Sequence, residues 1–217
     1  MAKHFVLVAG NIATGKTSLT ERIGERLGWQ TAYESVIDNP YLADFYGDMH
    51  AWAFHLQVFF LGDRAEQHRV LAVSPNSAII DRSIYEDAEI FSRAAVKLGT
   101  MSQRDYDAYR RVYDLVVSNL PFPDLLLYLR APVEVLMDRI KARAREAEKG
   151  ITPEYLELLD SFYLRWLTKF DVCPVLTIRT DDLDFVHRPP HLEIVVDRIH
   201  EKLTGKEEIT FDQDTPT

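Results

Sequence analysis

Gly10-Asn11-Ile12-Ala13-Thr14-Gly15-Lys16-Thr17 places four residues between two glycines and follows the second with Lys-Thr. That spacing is the pattern of a phosphate-binding loop. Ahead of it runs His4-Phe5-Val6-Leu7-Val8-Ala9, a short apolar run that reads as a buried strand. Behind it, Leu19, Ile23 and Leu27 recur at helical spacing. Strand, glycine loop and helix are the context the motif requires. Glycines let the backbone wrap closely around a polyphosphate, whose charge meets free N–H groups at a helix N-terminus. The segment from Gly10 to Ser18 therefore reads as the seat of a triphosphate. Lys16 would neutralise its terminal phosphates, and the Thr17 hydroxyl would ligate Mg²⁺.

Further apolar runs lie near 30–33, 77–81, 125–129 and 174–178, with helical segments between them. Strands alternating with helices predict an α/β protein: a five-stranded parallel sheet with helices on both faces. Ligands of such sheets bind at the carboxyl ends of the strands. The residues with chemical potential follow those ends: the glycine loop, Glu34, Asp81-Arg82-Ser83, and the segment Asp181 to Phe185. Glu34 would sit at the mouth of the sheet, where it could take a proton from an attacking hydroxyl. Asp81 would support the Mg²⁺ shell beside Thr17, and Arg82 would meet the transferring phosphoryl group. Taken alone, Glu34 reads as a solvated loop residue and Asp81-Arg82 as a surface ion pair.

The remaining segments read as helices. Residues 48–73 form one long helix with more apolar surface than one face of a sheet needs, so part of it is expected to pack on a second copy of the chain. Residues 102–119 form an amphipathic helix. Residues 132–148 form a basic helix carrying Arg139, Lys141, Arg143 and Arg145, and Thr152-Pro153 starts the next. The basic stretch, about 139–150, is a solvated face or a lid that shuts water out. The last helix covers about 191–203. Residues 1–205 are expected to be one domain, and the polar stretch 206–217 a mobile tail.

A net charge of −9 and a pI near 5.3 speak against nucleic acid as a partner. The one cysteine, Cys173, fits a reducing cytoplasm and reads as a small core residue. No signal peptide precedes the first strand, and no apolar run reaches membrane-spanning length.

Jointly and in order, the loop, Glu34, Trp52 five residues before Gln57, the run Asp81-Arg82-Ser83-Ile84-Tyr85-Glu86-Asp87 and the lid Arg139-x-x-x-Arg143-x-Arg145-x-x-Glu148 resemble the deoxyribonucleoside kinases. Within that family, the resemblance is to the branch of bacterial deoxyadenosine and deoxyguanosine kinases. It extends from Phe5 to Leu203. It implies a P-loop kinase fold with a helical lid, and transfer of the γ-phosphoryl group of ATP or another NTP to a deoxyribonucleoside 5′-hydroxyl with Mg²⁺.

The resemblance also implies roles. Glu34 is the general base and Arg82 its neighbour on the phosphoryl group. Gln57 reads the base edge, with Arg64 and Asp87 completing recognition and Phe91 packing on the base. Tyr46 and Glu148 hold the sugar 3′-hydroxyl. Arg143 and Arg145, with Arg139 nearby, bind phosphates, and Asp184 and Phe185 belong to the segment over the donor's adenine. A glutamine offers one donor and one acceptor side by side, which suits a base edge. Arg64 with Asp87 favours a deoxypurine, or deoxycytidine, over thymidine. Ser35 stands where animal members have proline, and Asp81 where they have glutamate. Two other readings remain at this stage. A thymidylate-type monophosphate kinase would share the fold but need more basic residues at the acceptor. A nucleotide switch finds a partial match in Asp44-Phe45-Tyr46-Gly47, without a preceding apolar strand or a guanine signature.

Overall fold

The computed structural model describes residues 3–33, 39–145, 148–186 and 188–205. Five strands form one parallel sheet in the order β2-β3-β1-β4-β5. They are β1 (Phe5–Gly10), β2 (Gln30–Ala32), β3 (Ala78–Asp81), β4 (Leu125–Arg130) and β5 (Val175–Arg179). Each falls within a residue or two of its apolar run. The central strands are buried on both faces, which is why they read as unbroken apolar stretches.

The alternation along β1 sorts the core into two layers. Val6 and Val8 face α1 (Lys16–Leu27) and α9 (Pro189–Thr204), packing with Leu19, Ile23, Val195 and Ile199. Phe5, Leu7 and Ala9 face the other layer. That layer contains α3 (Met49–Val73), the helical stretch α4 (Ile84–Glu86) to α5 (Ser92–Lys97), α6 (Gln103–Val117) and α8 (Pro153–Leu167). A short helix, α2 (Leu42–Gly47), leads into α3 and was not foreseen. The Asp48 carboxylate caps α3 by accepting the N–H groups of His50 and Ala51 at 3.0 and 3.1 Å.

Two helices depart from the sequence reading. α7 covers Val133–Arg143, not 132–148, because Ala144 turns into the left-handed region at φ 47°. Charged and alanine residues continue the helical pattern there, so nothing in composition announces the stop. α9 begins at Pro189, two residues before the expected start, since proline suits a first helical turn. The expected mobile tail at 206–217 lies outside the described residues. No helix among the described residues is long and apolar enough to cross a membrane. Cys173 is half-buried against the core, and burial pushes its thiol up to about 12.

His68, on α3, is buried against Phe5, with ring centroids 4.7 Å apart, and its Nε2 lies 2.7 Å from the Pro121 carbonyl oxygen. Burial holds its pKa below the ordinary 6.5. Above that value both folded and unfolded chains carry neutral His68. As pH falls through it, the unfolded chain takes up a proton that the fold resists, and stability drops until the folded pKa is passed. Urea midpoints are therefore expected to fall between pH 7.5 and 5.5. Each unit of pKa separation corresponds to about 1.4 kcal/mol. His68→Gln should flatten that slope; an unchanged slope would remove His68 from the account.

Candidate active site

The phosphate loop joins β1 to α1 through three positive φ angles, at Gly10 (151°), Ala13 (64°) and Gly15 (95°). A Cβ on Gly10 would lie 2.4 Å from the Leu129 carbonyl oxygen on β4, so only glycine fits. A Cβ on Gly15 would come within 3.1 Å of Phe185. The glycine spacing is thus set by a strand beside the loop and an aromatic ring over it. Ala13 holds its left-handed turn while packed against Ala131 and Leu136. The buried Lys16 amine reaches the carbonyl oxygens of Gly10 and Asn11 at 2.9 and 2.8 Å.

Asn11 turns its side chain toward α8, donating to the Leu156 carbonyl at 2.9 Å and to Asp160 Oδ1 at 2.6 Å. Its side-chain NH₂ is therefore engaged by α8. Desolvation raises the Asp160 pKa, and the bond from Asn11 partly offsets this.

Thr17 donates its hydroxyl to Asp81 Oδ2 at 2.5 Å, joining the loop to the end of β3. The other carboxylate oxygen, Asp81 Oδ1, is buried with no hydrogen-bond partner among the described residues. Two hard oxygen donors, one of them unsatisfied, fit a Mg²⁺ ion or one of its waters. Among the described residues no three His, Cys, Asp or Glu side chains gather to hold a metal by themselves.

Seven of the residues assigned to the donor nucleotide line one cavity of about 510 Å³: Ala13, Gly15, Ser18, Arg139, Arg143, Asp184 and Phe185. This is the size of a small-molecule pocket. Arg139 departs from a simple phosphate ligand. Its guanidinium donates to the Ala13 carbonyl at 3.3 Å and to Thr180 Oγ1 at 3.0 Å, and it also reaches the Thr180 carbonyl. It ties the phosphate loop to the segment after β5. Arg145 does not line the cavity and is exposed.

Glu148 pairs with Arg143 at 2.6 Å, with Arg145 4.0 Å away. This pairing spans the left-handed residue Ala144. Part of the expected lid, residues 146–147, lies outside the described residues. Glu34, the expected base, does too.

Five of the residues expected to meet the acceptor gather around the helical stretch after β3. Its middle, Asp87–Phe91, is a π turn, closed by the Ser92 N–H donating to the Asp87 carbonyl. Such insertions shift the facing of side chains and recur at functional sites. Asp87 forms a buried ion pair with Arg64 at 2.6 Å. Ser92 donates to Gln57 Oε1 at 3.2 Å. The Phe91 ring lies under the Arg82 guanidinium, 4.5 Å from its centroid. Gln57, Arg64, Arg82, Asp87 and Phe91 are thereby linked through one turn. Tyr46 is about half exposed, at 49 %. It neighbours Tyr155, whose phenol is raised by burial and lowered by the Arg82 charge.

Three residues here were not singled out from the sequence. Tyr109 is buried beside Asp87 and Arg64, and burial, with help from Asp87, raises its phenol. Tyr163 donates to Glu86 Oε1 at 2.6 Å and lies 2.8 Å from the Gly10 carbonyl oxygen. Glu86 itself is fully buried. The tyrosines read as core aromatics, and their partners lie far away in sequence. Only the buried hydroxyls, which need partners, could have hinted at them.

The sequence matches the family model described as deoxynucleoside kinase over residues 6–204. It is 38% identical over 196 residues to a deoxyadenosine/deoxycytidine kinase of Bacillus subtilis, covering 89% of this chain and 90% of that one. It is 34% identical over 221 residues to a deoxyguanosine kinase of Lactobacillus acidophilus, covering 98% and 96%. Among solved structures, a deoxyadenosine kinase from M. mycoides with products dCMP and a flexible dCDP bound superposes with a TM-score of 0.79 at 28% identity, covering 91% of this chain and 99% of that one. With the phosphate loop, the donor cavity and the residues around Arg82 in place, the chain belongs to the deoxynucleoside kinase family.

Proposed function

We propose that this kinase moves the γ-phosphoryl group of ATP, or another NTP, to the 5′-hydroxyl of a deoxypurine nucleoside, with deoxycytidine as a further acceptor. One observation carries the reading. The cavity lined by Ala13, Gly15 and Ser18, and the Glu86 carboxylate that links Gly10 to Arg82, both border the phosphate loop, which supports a donor and an acceptor meeting over Lys16 and Thr17. In that arrangement Glu34 takes the proton from the hydroxyl. Lys16, Arg82, Arg143 and Arg145 offset charge on the phosphates. Arg139 holds the loop and the donor segment together, and Asp184 and Phe185 cover the donor base. Thr17 and Asp81 would hold Mg²⁺, which supplies charge neutralisation across the phosphates when bound.

The sugar is assigned to Tyr46 and Glu148. Base reading is assigned to Gln57, Arg64, Asp87 and Phe91. Asp87 fixed on Arg64 presents a polar pair beside the glutamine, which supports a base with both donors and acceptors on its edge. A monophosphate acceptor would need further cations at that end. The products in the M. mycoides structure, a deoxynucleoside monophosphate and a diphosphate, are the chemical pair that such a transfer yields.

The reading is tested by phosphoryl transfer from ATP and Mg²⁺ to deoxyadenosine, deoxyguanosine, deoxycytidine and thymidine at equal low concentration, with the monophosphates alongside. A deoxypurine or deoxycytidine should lead. Activity confined to a monophosphate would withdraw the roles of Gln57, Tyr46 and Glu148.

A homodimer through α3 is part of the same reading, in one cytoplasmic domain spanning 1–205. Val58, Val70 and Val73 on α3 and Val112 and Leu115 on the adjacent α6 are exposed apolar residues, which supports a contact surface on these two helices. Leu115→Glu is expected to turn a dimer into a monomer by light scattering at micromolar concentration. A wild-type mass of one chain would dismiss the dimer.

A further inference from the structure

Glu86 is fully buried at the end of the three-residue helix α4. One side of its carboxylate does what a capping glutamate does: Oε2 accepts the Ser83 N–H at 2.7 Å and the Ser83 hydroxyl at 3.0 Å. The other oxygen faces away from the cap. Oε1 accepts the Gly10 N–H at 3.1 Å and the Tyr163 hydroxyl at 2.6 Å, and lies 3.5 Å from Arg82 Nη1. A capping role needs none of those three contacts. They join the first glycine of the phosphate loop, helix α8 and the arginine at the end of β3.

Arg82 is itself held tightly. Its backbone sits at φ 76°, a region that side chains disfavour, while its N–H continues the sheet by donating to the Val8 carbonyl at 2.8 Å. Its guanidinium has the Phe91 ring against one face and the Glu86 carboxylate at one edge.

We propose that Glu86 is a positioning residue that fixes the Arg82 guanidinium relative to the phosphate loop, through one carboxylate shared by Arg82, Gly10 and Tyr163. This rests on Arg82 acting at the transferring phosphoryl group. A donor aimed at developing charge works only while its direction is set beforehand. Because Oε1 also holds the Gly10 N–H, the arginine and the loop share one anchor.

Glutamine at 86 keeps the size but not the chemistry. It has one oxygen and one NH₂. Whichever way it turns, the NH₂ meets a backbone N–H, that of Gly10 or that of Ser83, and the charge facing Arg82 is gone. The test is a double-mutant cycle on kcat with ATP, Mg²⁺ and the best acceptor of the four-base panel. Glu86→Gln should lower kcat by about 10- to 100-fold, by analogy with the loss of an outer-shell partner that orients a metal ligand. KM for both substrates should move by less than about threefold. In an Arg82→Ala background the same change should alter kcat by less than about threefold, because the group it orients is absent.

Equal fold losses in the two backgrounds, or a loss confined to KM for ATP, would overturn the coupling. An Arg82→Ala enzyme of undiminished kcat would overturn the reading of Arg82 and the coupling with it. A slow Arg82→Ala enzyme with additive losses would overturn the coupling alone. If circular dichroism shows Glu86→Gln unfolded, Tyr163→Phe takes its place in the cycle, removing one donor from Oε1 without changing charge. Its loss, about three- to tenfold, should likewise vanish without Arg82; persistence would overturn the proposal.

Discussion

Glu34→Ala is expected to lower kcat by about 10²- to 10⁴-fold through loss of proton transfer, and further through lost positioning of the hydroxyl, while ATP binding stays nearly intact. The chemistry sets the size of the effect. A sugar hydroxyl is a poor nucleophile until its proton has somewhere to go, and the acceptor must stand within hydrogen-bond reach of it. Glu34 lies outside the described residues; the strands on either side of it are described. β2 pairs with β3 in parallel register, Ala32 beside Ile80. β2 thus ends at the same edge of the sheet where β3 runs on into Asp81 and Arg82. That is the edge at which open α/β sheets bind ligands. Steady-state kcat with calorimetric titration of ATP checks the prediction. Unchanged turnover would remove Glu34 as the base. Turnover and ATP affinity lost together would point instead to damage at the loop.

The sequence made the sheet legible because buried parallel strands are nearly pure apolar runs and the glycine loop locates the first of them. That the residues assigned to the donor lie near one another was legible for a related reason. They lie in a local motif and in segments that follow strand ends, and seven of them line one cavity. What could not be read depends on geometry that composition does not encode. The stop at Ala144 has no glycine to signal it, and the π turn at Asp87–Phe91 has no sequence mark, although it sets how Asp87, Phe91 and Ser92 face. Arg139 belongs to the basic lid stretch, yet its hydrogen bonds go to carbonyl and hydroxyl oxygens across the mouth of the sheet. Glu86 was visible only as one letter of a motif. Its function as an anchor comes from Tyr163, which lies 77 residues away and reaches it through the packing of α8.

Arg82→Ala is expected to lower kcat by about 10²- to 10³-fold, the cost of losing one preorganised donor at a site of developing charge, with smaller changes in KM. Stability should fall as well, because the buried Glu86 carboxylate loses the cation beside it, but the backbone adds no cost of its own. The backbone at position 82 is held by the Val8 carbonyl and keeps its φ of 76° whatever the side chain, so alanine inherits the strain instead of adding to it. The guanidinium lies over Phe91 and beside Glu86, at the end of the strand that carries Asp81. Removing it leaves the Glu86 carboxylate with its bonds from Gly10, Ser83 and Tyr163, so the loop keeps its anchor and ATP should still bind. Arg82→Lys should recover little, because a single ammonium cannot present the planar, several-donor face of a guanidinium. A loss confined to KM would mean that Arg82 holds substrate in the ground state and the transition state alike. Full recovery by lysine would reduce its role to bare charge.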